Sequence, residues 1–150
     1  MNNLTPTQQR AVNKALNIIA ELRPVTKALT SSQSTKDYLQ LQLAAEKSEV
    51  FAMIFLDNQH QTIAFEKIFF GTIDGAAVYP REIVRKVIEH NAAAVILTHN
   101  HPSGIPEPSQ ADIAITRKIK SALDTIDVRV LDHIVVGSQG TVSLAERGLM

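Results

Sequence analysis

The sequence predicts a mixed α+β domain, a single β-sheet flanked by helices. Three observations carry this: the element order mixes hairpin-like strand pairs with helices, no repeat runs along the chain, and 150 residues with 45% hydrophobic content can supply one core. A doubly wound α/β sheet would alternate strands and helices throughout, and this chain does not.

Taken in order, Thr5-Pro6-Thr7-Gln8 predicts a helix start, with Thr as N-cap, Pro at the first helical position and Gln three residues after the cap. Val12, Ala15, Leu16, Ile19 and Leu22 recur at helical spacing until Pro24 stops the helix. Residues 1–29 are therefore expected to be an N-terminal helical extension. The polar stretch Thr30 to Thr35 is expected to be a linker before a second helical segment near Asp37 to Ala45. Glu49 to Asp57 is a nearly continuous apolar run closed by a turn at Asp57 to Gln61, the pattern of a buried strand. Thr62 to Phe70 follows as its hairpin partner. Pro80 opens a helix through about His90, with Ile83, Val84, Val87 and Ile88 on its apolar face. Ala92 to Thr98 is a further buried strand, and the proline-rich loop Pro102 to Pro108 leads to a helix over Gln110 to Leu123. Strand-like Val128 to Val136, a turn at Gly137 to Gly140 and a short strand at Thr141 to Leu144 end the chain.

Charge and composition narrow the function. Fifteen basic residues balance fifteen acidic ones, so electrostatics give no support for nucleic-acid binding, which draws on clustered Lys and Arg. Arg81, Arg85, Lys86 and Arg117, Lys118, Lys120 are the only candidate clusters, and each fits the wet face of a helix. The absence of cysteine removes disulfides, thiolate ligands and a cysteine nucleophile, so any metal must rest on His and carboxylates. No signal pattern or membrane-length apolar run is present, and a cytoplasmic protein is the expectation.

His99-Asn-His101 stands where a strand gives way to a loop, and an i, i+2 pair in extended backbone directs both side chains to one face. Asp112 falls in the first turn of the next helix, where the loop can deliver its carboxylate to the same point. Two His and one carboxylate leave a fourth tetrahedral position open for water, as a catalytic zinc requires. Bound zinc would bring the pKa of that water to about 7. A carboxylate must still carry protons. Spacing leaves Glu46, Glu49, Glu66, Glu82 and Glu89 open, and Glu49, at the rim of a buried strand, best meets the need for rigidity. Ser109 can donate a hydrogen bond to the oxyanion. Ser109-x-x-Asp112 is also a helix-capping box, and the capping and metal roles are compatible. Asp132-His133 lies within a strand with no partner at ligand spacing, so a buried, hydrogen-bonded His is the better reading, and a place behind a metal ligand is the alternative. His60 and His90 are explained by a turn and a helix end.

Glu49 followed by His99-x-His101-x7-Ser109-x2-Asp112 resembles the metal-binding signature of JAMM (MPN+) metalloproteases without a departure. The wording is closer still to RadC-like proteins, whose signature resembles Thr98-His-Asn-His-Pro-Ser-Gly104 with Pro108-Ser109 and Asp112, Gly71-Thr72, Tyr79-Pro80-Arg81-Glu82 and Asp132-His133. The likeness covers roughly Thr30 to Met150. It implies a cytidine-deaminase-like JAB/MPN fold, zinc ligands at His99, His101 and Asp112, Glu49 as acid/base, Ser109 as oxyanion donor, and a peptide or isopeptide-linked protein as substrate. RadC-like proteins usually begin with a helix-hairpin-helix region associated with DNA. Only about 30 residues precede the module here, so a short stand-alone member is expected. The alternatives are a DNA-associated accessory protein with a structural or vestigial metal site, and a protein-interaction module of the kind formed by silent MPN domains.

Overall fold

The computed structural model describes residues 5–22, 29, 31–71 and 78–150. Pro24, Thr30 and Thr72, with the side chains of Leu16, Ile19 and Leu22, lie outside the described residues. The chain runs α1 (Pro6–Leu22), α2 (Ser32–Leu43), β1 (Val50–Leu56), β2 (Thr62–Phe70), α3 (Pro80–Glu89), β3 (Ala94–Asn100), α4 (Gln110–Asp124), β4 (Arg129–Gly137) and β5 (Gly140–Ser143).

The strands form one five-stranded sheet in the order β2-β1-β3-β4-β5. The β1/β2, β1/β3 and β4/β5 pairs are antiparallel, and β3/β4, joined through α4, is parallel. This is the mixed sheet flanked by helices that the sequence predicts. Every residue of β1 is buried, as a central strand covered on both faces requires. Alternation along β1 sorts its side chains into two cores. Phe51, Met53 and Phe55 pack with Val95 and Leu97, with Ile83 and Val87 of α3, and with Ile115, Ile119 and Leu123 of α4. On the other face Val50, Ala52, Ile54 and Leu56 pack with Ile134, Val136 and Leu39 and Leu43 of α2.

Three expectations need correction. Ser31 to Thr35 is the start of α2, not a linker: Ser31 caps the helix by accepting from the Ser34 backbone, and the Ser34 side chain returns the bond. Thr35 is buried there, and its hydroxyl donates to the Ser31 carbonyl. Secondly, β3 continues to Asn100, because parallel pairing with β4 runs on to Asn100↔Val136. Lastly, Ile88 is 65% exposed while Ile83 and Val87 are buried. Five residues at about 100° each carry Ile88 roughly 140° round the helix from Ile83, beyond the stripe that faces the sheet. In α1, capped as expected by reciprocal Thr5 and Gln8 bonds, the predicted apolar positions Val12 and Ala15 are exposed.

On the outer face of α3, Arg85 pairs with Glu82 and Glu89, and Lys86 pairs with Glu66 of β2. Two of the three cations in that cluster are thus neutralised locally. No described helix is long and apolar enough to cross a membrane.

The loop after β3 rests on the β4/β5 turn at one close approach. A Cβ built on Gly137 would stand 2.2 Å from the Gly104 carbonyl oxygen, so backbone meets backbone with no room for a side chain. Gly104 itself has φ +87°, and its carbonyl accepts from the Gln139 N–H at 3.1 Å. Gly137→Ala is expected to cost about 1–3 kcal/mol through forced displacement of this loop. Urea unfolding measures it, and an unchanged midpoint would show that the loop yields freely.

Candidate metal centre

Three side chains converge at the C-terminal end of β3. His99 occupies the penultimate position of the strand, fully buried, paired with Phe51 of β1 on one side and Val135 of β4 on the other. His101 follows the strand, held by its N–H donating to the Val136 carbonyl at 2.8 Å. Asp112 stands in the first turn of α4 and is 4% exposed. One ligand atom from each lies within 4.8 Å of the others. His99 Nε2 and His101 Nε2 are 2.9 Å apart, and each is 3.3 Å from a carboxylate oxygen of Asp112. These three residues could hold a metal ion.

Hydrogen-bond accounting supports a cation at this point. The Ile105 carbonyl, 3.0 Å from His101 Nδ1, can only accept, so Nδ1 carries the hydrogen. The Nε2 atom of a neutral His101 then turns a lone pair toward the His99 ring and the carboxylate. Only a proton or a metal ion satisfies such a cluster of acceptors. The donor set, two imidazoles and a carboxylate, fits zinc.

The capping box at the head of α4 is present as well. Ser109 Oγ accepts from the Asp112 N–H at 3.1 Å, and Asp112 Oδ2 accepts from the Ser109 N–H at 2.7 Å. One carboxylate therefore both caps the helix and faces the two imidazoles. Burial opposes ionisation of Asp112, yet its bonds with His101 and His99 outweigh that and hold its carboxyl far below the usual range. His101 is raised, chiefly by its bond to Asp112 against the opposing effect of burial. Burial pushes His133 well down, with the neighbouring His99 adding to the effect.

These shifts set a pH window for the metal-free protein. A depressed carboxyl stabilises the fold above its ordinary pKa and loses that contribution as pH falls through and below the carboxylate range. A raised histidine contributes fully below about 6.5 and loses the contribution as pH rises through its folded value. The Tm difference between wild type and Asp112→Asn, measured in chelator, should therefore be largest in mildly acidic solution and shrink in both directions. A difference independent of pH would mean that the His101/Asp112 pair contributes nothing.

A family model described as a RadC-like JAB domain matches residues 29–149. The chain belongs to the RadC-like JAB domain family. Among relatives, the UPF0758 protein of Cellvibrio japonicus is 61% identical over 120 residues, 80% of this chain and 54% of that protein. That of Marinobacter nauticus is 53% identical over 142 residues, 95% of this chain and 63% of the relative. The chain thus spans little more than half the length of the first and under two thirds of the second. The mixed sheet with helices on both faces agrees with the JAB/MPN architecture that the resemblance implies.

Within the RadC-like JAB domain, the candidate glutamates separate by their partners. Glu46 pairs with Lys67, Glu66 with Lys86 and His90, and Glu82 and Glu89 with Arg85. Glu49 is the glutamate whose charge raises His101. The β1/β3 register ends at Phe51↔His99, and Glu49 and His101 each lie two residues further along, just outside the two strands. The Glu49 carbonyl accepts from the Gly71 N–H at 2.9 Å.

Sequence reasoning missed Asn100, the residue between the two His. Its Oδ1 accepts from the Val50 N–H at 2.7 Å and its Nδ2 donates to the Ser48 carbonyl at 3.0 Å, so one buried amide grips the backbone on both sides of Glu49. The signal was available: a polar side chain in a buried strand end must find partners. His133 is buried and hydrogen-bonded, as read from the sequence, with its ring 4.9 Å from that of His99. His60 contacts Arg129, and His90 caps α3 and bonds Glu66.

Proposed function

We propose that this chain is a zinc-dependent metallohydrolase that cleaves a peptide or isopeptide bond in a protein substrate. The observation that carries the proposal is the convergence of His99, His101 and Asp112 on one point within electrostatic reach of Glu49. Zinc held by these residues would supply Lewis acidity and an acidified water. Glu49 would take the proton from the attacking water and deliver it to the departing nitrogen, the two transfers that amide hydrolysis demands. Ser109 Oγ uses a lone pair to accept the Asp112 N–H, which leaves its hydroxyl hydrogen to donate to the oxyanion. The capping bond also orients that hydroxyl beside the ligand carboxylate.

The test is cleavage of a peptide and isopeptide library by the zinc-loaded protein, with Glu49→Gln as matched control. Cleavage by the wild type that Glu49→Gln loses is expected. Equal cleavage by both would remove Glu49 from its role, and a wild type that cleaves nothing in either library would overturn the peptidase reading.

A further inference from the structure

Behind the three candidate ligands lies a chain of polar contacts that neither Glu49 nor Ser109 takes part in. His99 Nδ1 is 2.8 Å from His133 Nε2. His133 Nδ1 is 2.6 Å from Thr116 Oγ1, and Thr116 Oγ1 is 2.6 Å from the backbone carbonyl of Asp112. All three residues, His99, His133 and Thr116, are fully buried, each at 0% exposure, so every one of these contacts needs a hydrogen within it.

With neutral imidazoles, only one assignment puts a hydrogen in each. The Asp112 carbonyl has no hydrogen to give, so the Thr116 hydroxyl donates to it. That spends the single Thr116 proton. Thr116 Oγ1 must then accept from His133, which sets the His133 hydrogen on Nδ1 and leaves a lone pair on its Nε2. His99 must in turn donate from Nδ1, and its own lone pair is turned out through Nε2 toward His101 and Asp112. The reverse order would place two oxygens 2.6 Å apart with nothing between them.

We propose that Thr116 and His133 form a relay of fixed direction that locks His99 in the tautomer able to bind a metal through Nε2. It starts from the carbonyl of one ligand, Asp112, and ends on the ring of another, His99. The relay thus couples the first turn of α4 to the end of β3, and both residues are positioning residues that act through His99. The purpose assigned to it rests on the metal reading of the site, whereas the direction of its hydrogen bonds does not. A histidine ligand held by a defined partner is oriented and made a better donor, and loss of such partners typically weakens metal affinity about 10–100-fold.

Thr116→Val and Thr116→Ser separate this relay from simple packing. Valine keeps the shape and removes the hydroxyl, and serine keeps the hydroxyl and removes a methyl. Zinc affinity, measured by competition with a chromophoric chelator, is expected to fall about 10–100-fold in Thr116→Val and to stay near wild type in Thr116→Ser. Long-range nitrogen-15 correlation spectra of the metal-free wild type are expected to show the ring hydrogen on Nδ1 in both His99 and His133. Wild-type affinity in Thr116→Val, or an equal loss in Thr116→Ser, would overturn the relay, as would an Nε2 hydrogen on His133. If wild type bound no zinc, the metal reading itself would fail, and the spectra would still decide the direction of the bonds.

Discussion

His99→Ala and Asp112→Ala are each expected to reduce the protein from stoichiometric zinc to background after dialysis. Three protein ligands and an open position make a catalytic zinc site, and alanine at either residue leaves only two of them. His99 comes from a strand gripped on both sides and Asp112 from a capped helix start, so neither element can slide to close the gap. The loss should exceed the roughly 10–100-fold typical of partners that only support a ligand. A second readout is thermal. Zinc at about a thousand times its dissociation constant should stabilise the wild type by about 4 kcal/mol, and should not shift either variant. Zinc retained by both variants at the wild-type level would dismiss the centre.

Glu49→Gln is expected to lower kcat about 10²–10⁴-fold while leaving zinc content unchanged. Glutamine matches glutamate in size and can hydrogen-bond, but it cannot shuttle a proton. The backbone around it is held by Asn100 and by Gly71, so the amide should occupy the same place and the loss should report chemistry alone. Glu46→Gln is the internal control, because Glu46 is committed to Lys67 and its removal should leave kcat near wild type. A Glu49→Gln enzyme with undiminished turnover would transfer the proton role to another group.

Much of the molecule is legible from residues near one another in the chain. The apolar run of β1, the Pro80 helix start and the Ser109/Asp112 capping box depend on periodicity and local bonding. The extended geometry of His99-Asn100-His101 likewise sets both imidazoles on one face of a strand, whatever that strand packs against. Where local signals misled, longer-range contacts had intervened. Polar residues from Ser31 to Thr35 look like a linker, but Ser31 caps them into a helix and Leu39 and Leu43 anchor that helix on the sheet. Ile88 is apolar at helical spacing yet points away from the sheet, because the stripe that α3 buries is narrower than the pattern suggests.

The three candidate ligands could be named from sequence because one strand, one loop and one capped helix turn bring them together. Glu49 and Ser109 could be named as candidates too, but the contacts that join Glu49, Thr116 and His133 to the site form only across the sheet. Among the five candidates, Glu49 is the one whose charge acts on His101 and whose flanking backbone Asn100 grips, and both contacts depend on the sheet. Thr116 and His133 lie 17 residues apart and His133 and His99 lie 34 apart, so their hydrogen bonds exist only because β4 docks parallel to β3 beneath α4. Local chemistry determines which groups can bind a cation, while strand order and packing determine which second histidine and which buried hydroxyl stand behind them.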